Sequence, residues 1–178
     1  MNNLLDFMNR LLYSFQTSNT LFLITPYYSG GDLRYHLTNS NIGEAMARFI
    51  SAEIAFALNI LHANRLVYRD LKPENVMICN DGHVCLIDMG LCKYLKRERA
   101  MWSSGGTPSY IAPEVLERKK YSYSADWWSF GVLLWELLTG KPPFMESNRK
   151  QLFEQIKNQR LTKPSFMSIT ISLLVLYE

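Results

Sequence analysis

Val67-Tyr68-Arg69-Asp70-Leu71-Lys72-Pro73-Glu74-Asn75 packs two cations, two carboxylates and an amide into nine residues. Upstream of it, Ala45, Phe49, Ala52, Phe56, Ile60 and Ala63 recur at steps of three and four. That spacing predicts an amphipathic helix over residues 44–64, about six turns long. Downstream, residues 75–79 and 83–87 read as short strands, and Asn80-Asp81-Gly82 between them is a hairpin signal. Asp88-Met89-Gly90 follows, with Asp88 thirteen residues after Asn75.

Further out, residues 89–112 show little periodicity and predict a long ordered loop or a mobile segment. Gly106-Thr107-Pro108-Ser109-Tyr110-Ile111-Ala112-Pro113-Glu114 closes it. Asp126-Trp127-Trp128-Ser129-Phe130-Gly131 then enters a stretch, 125–139, apolar enough to predict a buried helix. Gly140, Pro142 and Pro143 end it, and Trp127, Trp128, Phe130 and Trp135 are its expected core residues. Residues 148–159 predict a more polar surface helix, and another begins near Ile169. At the other end, residues 11–15 and 21–25 read as two strands around a polar turn. Pro26 stops the second, and Ser29-Gly30-Gly31 leads into a short helix at 32–37, with Asp32 at its N-terminus.

With 178 residues, 48% hydrophobic and 20% charged, the chain has the composition of one ordinary globular domain. Its net charge of +3 comes from scattered Lys and Arg, so no nucleic-acid partner is indicated. Three widely spaced cysteines and three histidines argue against zinc and for reduced thiols, hence a cytoplasmic or nuclear location. Met1-Asn2-Asn3 does not open a signal peptide. Residues 166–177 are apolar but fall short of the ~20 needed for a membrane span.

The four polar motifs, in this order and at these gaps, resemble the signature set of eukaryotic protein kinases. A lone Arg-Asp pair would carry no such weight, since any single Asp or Asn is as readily a cap or a turn former. The resemblance implies an α+β, protein-kinase-like fold: a mainly helical C-lobe over 29–178, with 11–28 as the last strands of the N-lobe and the hinge. It implies ATP and Mg²⁺ as cofactors and protein substrates with a Ser or Thr acceptor. Phosphoryl transfer needs an aligned nucleophile and neutralised charge more than covalent help. Asp70 would orient the acceptor hydroxyl and take its proton. Lys72 would meet the transferring phosphate, and Asn75 and Asp88 would offer oxygens to Mg²⁺. Thr107 would hydrogen-bond near Asp70 and Lys72, and Asp126 would brace the catalytic-loop backbone.

Lys72 two residues past Asp70, with Gly106-Thr107-Pro108 before Ala112-Pro113-Glu114, resembles serine/threonine and not tyrosine kinases. Tyr68, Leu91-Cys92-Lys93 and Asp126-Trp127-Trp128-Ser129 look like the AGC group, in an Akt-like or S6-kinase-like flavour. On that likeness Thr25 is a gatekeeper, and the carbonyl of Pro26 and the N–H of Tyr28 recognise adenine. Met77 lies under the purine near Leu33, and Asp32 is on the nucleotide side as well as facing peptide. Asp32, Glu74 and Glu136 match positions that attract arginines upstream of the acceptor. Ser103, with Ser104 as the alternative, matches an activation-loop phosphosite, modified by an upstream activating kinase and paired to Arg69.

Three departures stand out. Met89 replaces the usual Phe, an adaptable filler for the same slot. No glycine-rich loop, strand lysine or partner glutamate occurs in the sequence ahead of Leu11. Nor does an arginine follow that would pair with Glu114, which leaves that carboxylate without a partner. These departures lead us to expect a partial kinase domain, catalytically silent and unstable on its own. The alternatives are a non-catalytic kinase-homology binding module and a small-molecule phosphotransferase. The second leaves the Gly106–Glu114 platform unexplained.

Overall fold

The computed structural model describes residues 7–95 and 107–161. The helix expected near Ile169 and the serines at 103 and 104 lie outside the described residues.

Strands β1 (Tyr13–Gln16) and β2 (Leu21–Ile24) form an antiparallel hairpin, with Tyr13 opposite Ile24. Every residue in both strands is exposed. After the Pro26–Gly31 turn comes α1 (Leu33–Asn39), whose first turn is capped by Asp32 accepting from the N–H of Tyr35 at 2.8 Å. Gly30 permits a close approach there, since a Cβ at this position would lie 2.5 Å from the carbonyl oxygen of Ile78.

The central element is α2 (Glu44–Ala63), which opens on Glu44, a favourable charge at a helix N-terminus. It packs against α4 (Ser124–Thr139), which ends on Gly140 at φ 79°, a left-handed cap that favours glycine. Between them Ile54, Leu58, Leu133, Leu134 and Leu137 are all but completely buried. Each such side chain contributes roughly 1.5–3 kcal/mol by leaving water. By length and composition alone α2 could cross a membrane, but here it is the core helix of the domain.

Two core expectations need correcting. The buried face of α2 carries Ala47, Ile50, Ile54, Ala57, Leu58 and Leu61. The stripe picked out by spacing is the outer one, with Ala45, Phe49, Ala52, Phe56 and Ala63 exposed. Apolar residues run most of the way round this helix, so a stripe at helical spacing can be drawn on either face. Trp127, expected in the core, is 41% exposed and sets its edge against His62 and Phe130.

Among the described residues, four short strands run between α2 and α4. β3 (Leu66–Val67) pairs antiparallel with β6 (Lys93–Tyr94), and β4 (Val76–Ile78) with β5 (Val84–Leu86). The β4–β5 hairpin is tied to α2 by Glu53, which accepts from the Val84 N–H at 2.9 Å and from His83. Beyond β6, α3 (Pro113–Leu116) precedes α4, and α5 (Arg149–Asn158) follows it, capped by Asn148. β6 falls where the sequence predicted only a loop, and β3 and α3 were not predicted at all, because two-residue strands and a four-residue helix are too short to show periodicity.

Candidate active site

The segment between β3 and β4 holds its polar side chains in one cluster. The Asp70 carboxylate, 7% exposed, receives the Lys72 ammonium at 2.8 Å and the Asn75 amide at 2.9 Å on Oδ2. The Thr107 hydroxyl approaches its Oδ1 at 3.4 Å. The Asn75 amide also donates to the Asp70 carbonyl at 2.8 Å. That orientation turns the Asn75 Oδ1 away from Asp70 as a free acceptor. Four residues separated by up to 37 positions thus meet at one carboxylate.

Two clamps hold this loop. Asp126 is fully buried at the start of α4, and its carboxylate accepts from the backbone N–H of Tyr68 at 2.8 Å and of Arg69 at 2.7 Å. His62 Nε2 lies 2.8 Å from the same carboxylate. A buried charge of this kind is tolerable only with such partners. The second clamp is the Tyr68 phenol, which donates to the carbonyl of Ile87, and burial pushes its pKa well above the usual tyrosine value. The N–H of Ile87 in turn donates to the carbonyl of Asn75 at 3.0 Å. The residue before Asp88 is therefore held on both sides by the segment that carries Asp70.

Asp88 is exposed, sits at φ 56°, and caps a single 3₁₀ turn by accepting from the Gly90 N–H at 3.0 Å. Arg69, at φ 72°, is the other left-handed residue of the site. Each such conformation costs about 1–3 kcal/mol in a non-glycine residue, and tertiary contacts must impose it. Arg69 reaches across to the Leu91 carbonyl at 2.7 Å and the Tyr121 hydroxyl at 3.2 Å. Met89 packs on the main core, with the Cys92 thiol 3.4 Å from its sulfur.

The residues expected around a nucleotide are partly brought together. Asp32 and Met77 pair as an isolated antiparallel bridge, and the carbonyl of Gly31 accepts from the Ile78 N–H at 2.9 Å. Leu33 is completely buried below them. Pro26 and Tyr28 lie just before, half-buried, and the Tyr28 hydroxyl donates to Asn9 at 3.0 Å. For a divalent cation the chain offers the Asn75 amide oxygen and the Asp88 carboxylate. That hard-oxygen set suits Mg²⁺, which takes one or two protein oxygens and completes its shell with phosphate and water.

Two carboxylates depart from expectation. Glu136 is not an open acid for a peptide arginine: it is 1% exposed and pairs with Arg34 at 2.5 Å, while Tyr110 also donates to it. Glu74 pairs with the same Arg34 at 2.9 Å. Glu114 is not a buried orphan either, since it is half-buried and accepts from the Ser124 hydroxyl at 3.0 Å. The roles of Arg34 and of the Tyr68 phenol were missed in the sequence. An arginine two residues after Asp32 was the available signal for the first.

Compared with known families, residues 3–173 match the protein kinase domain. A RAC family serine/threonine-protein kinase homolog of Dictyostelium discoideum is 44% identical over 165 residues, covering 91% of this chain and 37% of that protein. Serine/threonine-protein kinase Sgk1 of Fundulus heteroclitus is 44% identical over 171 residues, covering 94% and 40%. Protein kinase C-like 1B of Caenorhabditis elegans is 42% identical over 164 residues, covering 91% and 23%. The chain spans two fifths or less of each of these three relatives. With the motifs in register and a family match over nearly its whole length, the chain belongs to the protein kinase domain family, among serine/threonine kinases of the AGC group.

Proposed function

We propose that this chain forms the catalytic-loop and acceptor-binding part of an ATP-dependent kinase that phosphorylates Ser or Thr in protein substrates. The observation that carries this reading is the Asp70 carboxylate, held at once by Lys72, Asn75 and Thr107. Asp70 accepts the hydrogen bond of an incoming hydroxyl and directs its lone pair along the line of attack. Lys72, within reach of Asp70, places positive charge where the transferring phosphate gathers negative charge. Asn75 and Asp88 would hold Mg²⁺, which when bound neutralises the phosphate oxygens.

Pro26, Tyr28, Asp32 and Met77 line the nucleotide side on this reading. Upstream arginine is the acceptor preference we favour, read through Asp32 and the outer, solvent-facing side of Glu74. Ser103 or Ser104 serves as an activating phosphosite for an upstream kinase, with Arg69 as its partner, and the protein works in the cytoplasm or nucleus. The 178 residues hold no glycine-rich loop and no strand lysine, so this chain alone is expected to bind Mg-ATP weakly and to be catalytically silent.

The test is Mg²⁺-dependent nucleotide binding, read as a shift in thermal unfolding of the chain with ATP, with and without Mg²⁺. Stabilisation that needs both, and that Asp88→Ala removes, is the expected result. No Mg²⁺-dependent stabilisation at any ATP concentration would replace this reading with that of a non-catalytic binding module.

A further inference from the structure

Arg34 stands on the first turn of α1, and its guanidinium has three partners at once. Nε lies 2.9 Å from Glu74 Oε1, Nη1 2.5 Å from Glu136 Oε1, and Nη2 2.9 Å from the Tyr110 hydroxyl. The Tyr110 hydroxyl itself donates to Glu136 Oε2, which closes a ring of Arg34, Glu136 and Tyr110, with Glu74 bonded to the guanidinium from outside it. Burial alone would lower the Arg34 pKa, but the hydrogen bonds to Glu136 and then Glu74 outweigh it and hold the guanidinium above its usual value.

The cluster around Arg34 is assembled from separate parts of the chain. Glu74 comes from the Asp70 segment, Tyr110 from the stretch that begins at Thr107, and Glu136 from α4. The first two segments also supply Lys72, Asn75 and Thr107 to Asp70. A guanidinium-shaped site therefore sits next to the acceptor position. Its fixed fork of N–H donors suits two carboxylates and a hydroxyl in a way a lysine ammonium does not. Glu136 is 1% exposed, and a carboxylate buried to that degree is costly unless a cation is paired with it.

We propose that Arg34 fills in cis a guanidinium subsite of the acceptor platform, so that an arginine of the acceptor protein is excluded from the place facing Glu136. This rests on the peptide-phosphorylating reading above. Arginine of a substrate is then read only through Asp32 and the outer side of Glu74, and Arg34 sets how many upstream arginines the protein distinguishes. Without the Arg34 side chain the subsite is open and its buried carboxylate unpaired, so a guanidinium from outside enters it.

Two measurements on the 178-residue chain test this. In the first, thermal unfolding of Arg34→Ala is followed with methylguanidinium and, at equal concentration, methylammonium. A lowered Tm that methylguanidinium restores and methylammonium does not is expected, with no such gain in the unsubstituted protein. No selective restoration overturns the cis occupancy. In the second, serine peptides with one arginine walked through the upstream positions are bound to both proteins and read by fluorescence anisotropy. Arg34→Ala gains about tenfold or more for arginine at one position to which the unsubstituted chain is indifferent. Glu136→Gln added to Arg34→Ala removes that gain.

A preference at that position already present in the unsubstituted chain overturns the proposal. Failure of both proteins to bind any peptide overturns the acceptor reading itself, whatever methylguanidinium does. If Arg34→Ala does not fold, Arg34→Lys takes its place, because one ammonium does not span both carboxylates. The same rescue and gain are then expected at smaller amplitude, and their absence overturns the proposal.

Discussion

The phenol of Tyr68 donates to the carbonyl of Ile87, and so the residue that follows the β3 strand holds the residue that precedes Asp88. Ile87 returns the link through its N–H, bonded to the Asn75 carbonyl at 3.0 Å. The loop that carries Asp70 and the turn that carries Asp88 are thereby one mechanical unit.

Tyr68→Phe removes only the donor and leaves a part-buried carbonyl without its partner. We expect a loss of about 1–3 kcal/mol, the cost of such an orphan. The check is the urea midpoint, with an unchanged slope showing that the unfolded state is unaffected.

Asp126→Ala strips acceptors from two backbone N–H groups at once and from His62. Removing one member of a buried charged network costs about 3–5 kcal/mol. That is a large share of the roughly 5–15 kcal/mol available to a domain. Loss of near-ultraviolet circular dichroism at room temperature, or a greatly lowered Tm, is the expected outcome. A Tm close to that of the unsubstituted chain would remove Asp126 from its bracing role.

Burial, reinforced by the Asp126 charge, pushes the Cys92 thiol from 9.0 up to about 12, and burial beside Cys85 pushes Cys79 up to about 11. Both folded values are raised above the unfolded one. Their contribution to stability is therefore fully present below pH 9 and is lost as pH rises toward 11 and 12. Unfolding titrations across that window should show falling stability. Alkylation at pH 8 should label these thiols in the unfolded chain well before the folded one, because only the thiolate reacts.

Strands β1 and β2 form a hairpin with no buried residue, whereas α2 and α4 share the core. A two-stranded hairpin without a covered face is marginal in water. Amide hydrogens of residues 13–16 and 21–24 are expected to exchange within seconds to minutes, and those of α2 and α4 orders of magnitude more slowly. Equal protection in both regions would contradict this.

Much of the architecture was legible in the sequence because it rests on local rules. The Asp32 cap, the hairpin turn at residues 80–82 and the Gly140 stop each act within a few residues. The face that α2 buries was not legible, since nearly every turn of it carries an apolar side chain on both sides. Trp127 escaped the core for a related reason: a helix that is apolar all round does not reveal which large side chain lies at the rim.

By itself the sequence singled out the side chains proposed for the chemistry, since Asp70, Lys72, Asn75, Asp88 and Thr107 stand out by type and spacing. It also determined where most helices begin and end. Only the tertiary structure decided which charges meet. Arg34 and Glu136 are separated by 102 positions, and nothing in local pattern distinguishes a carboxylate open to a ligand from one closed by its own chain. That distinction depends on burial and on distances of a few ångströms, which arise only when α1, the catalytic loop and α4 pack against one another.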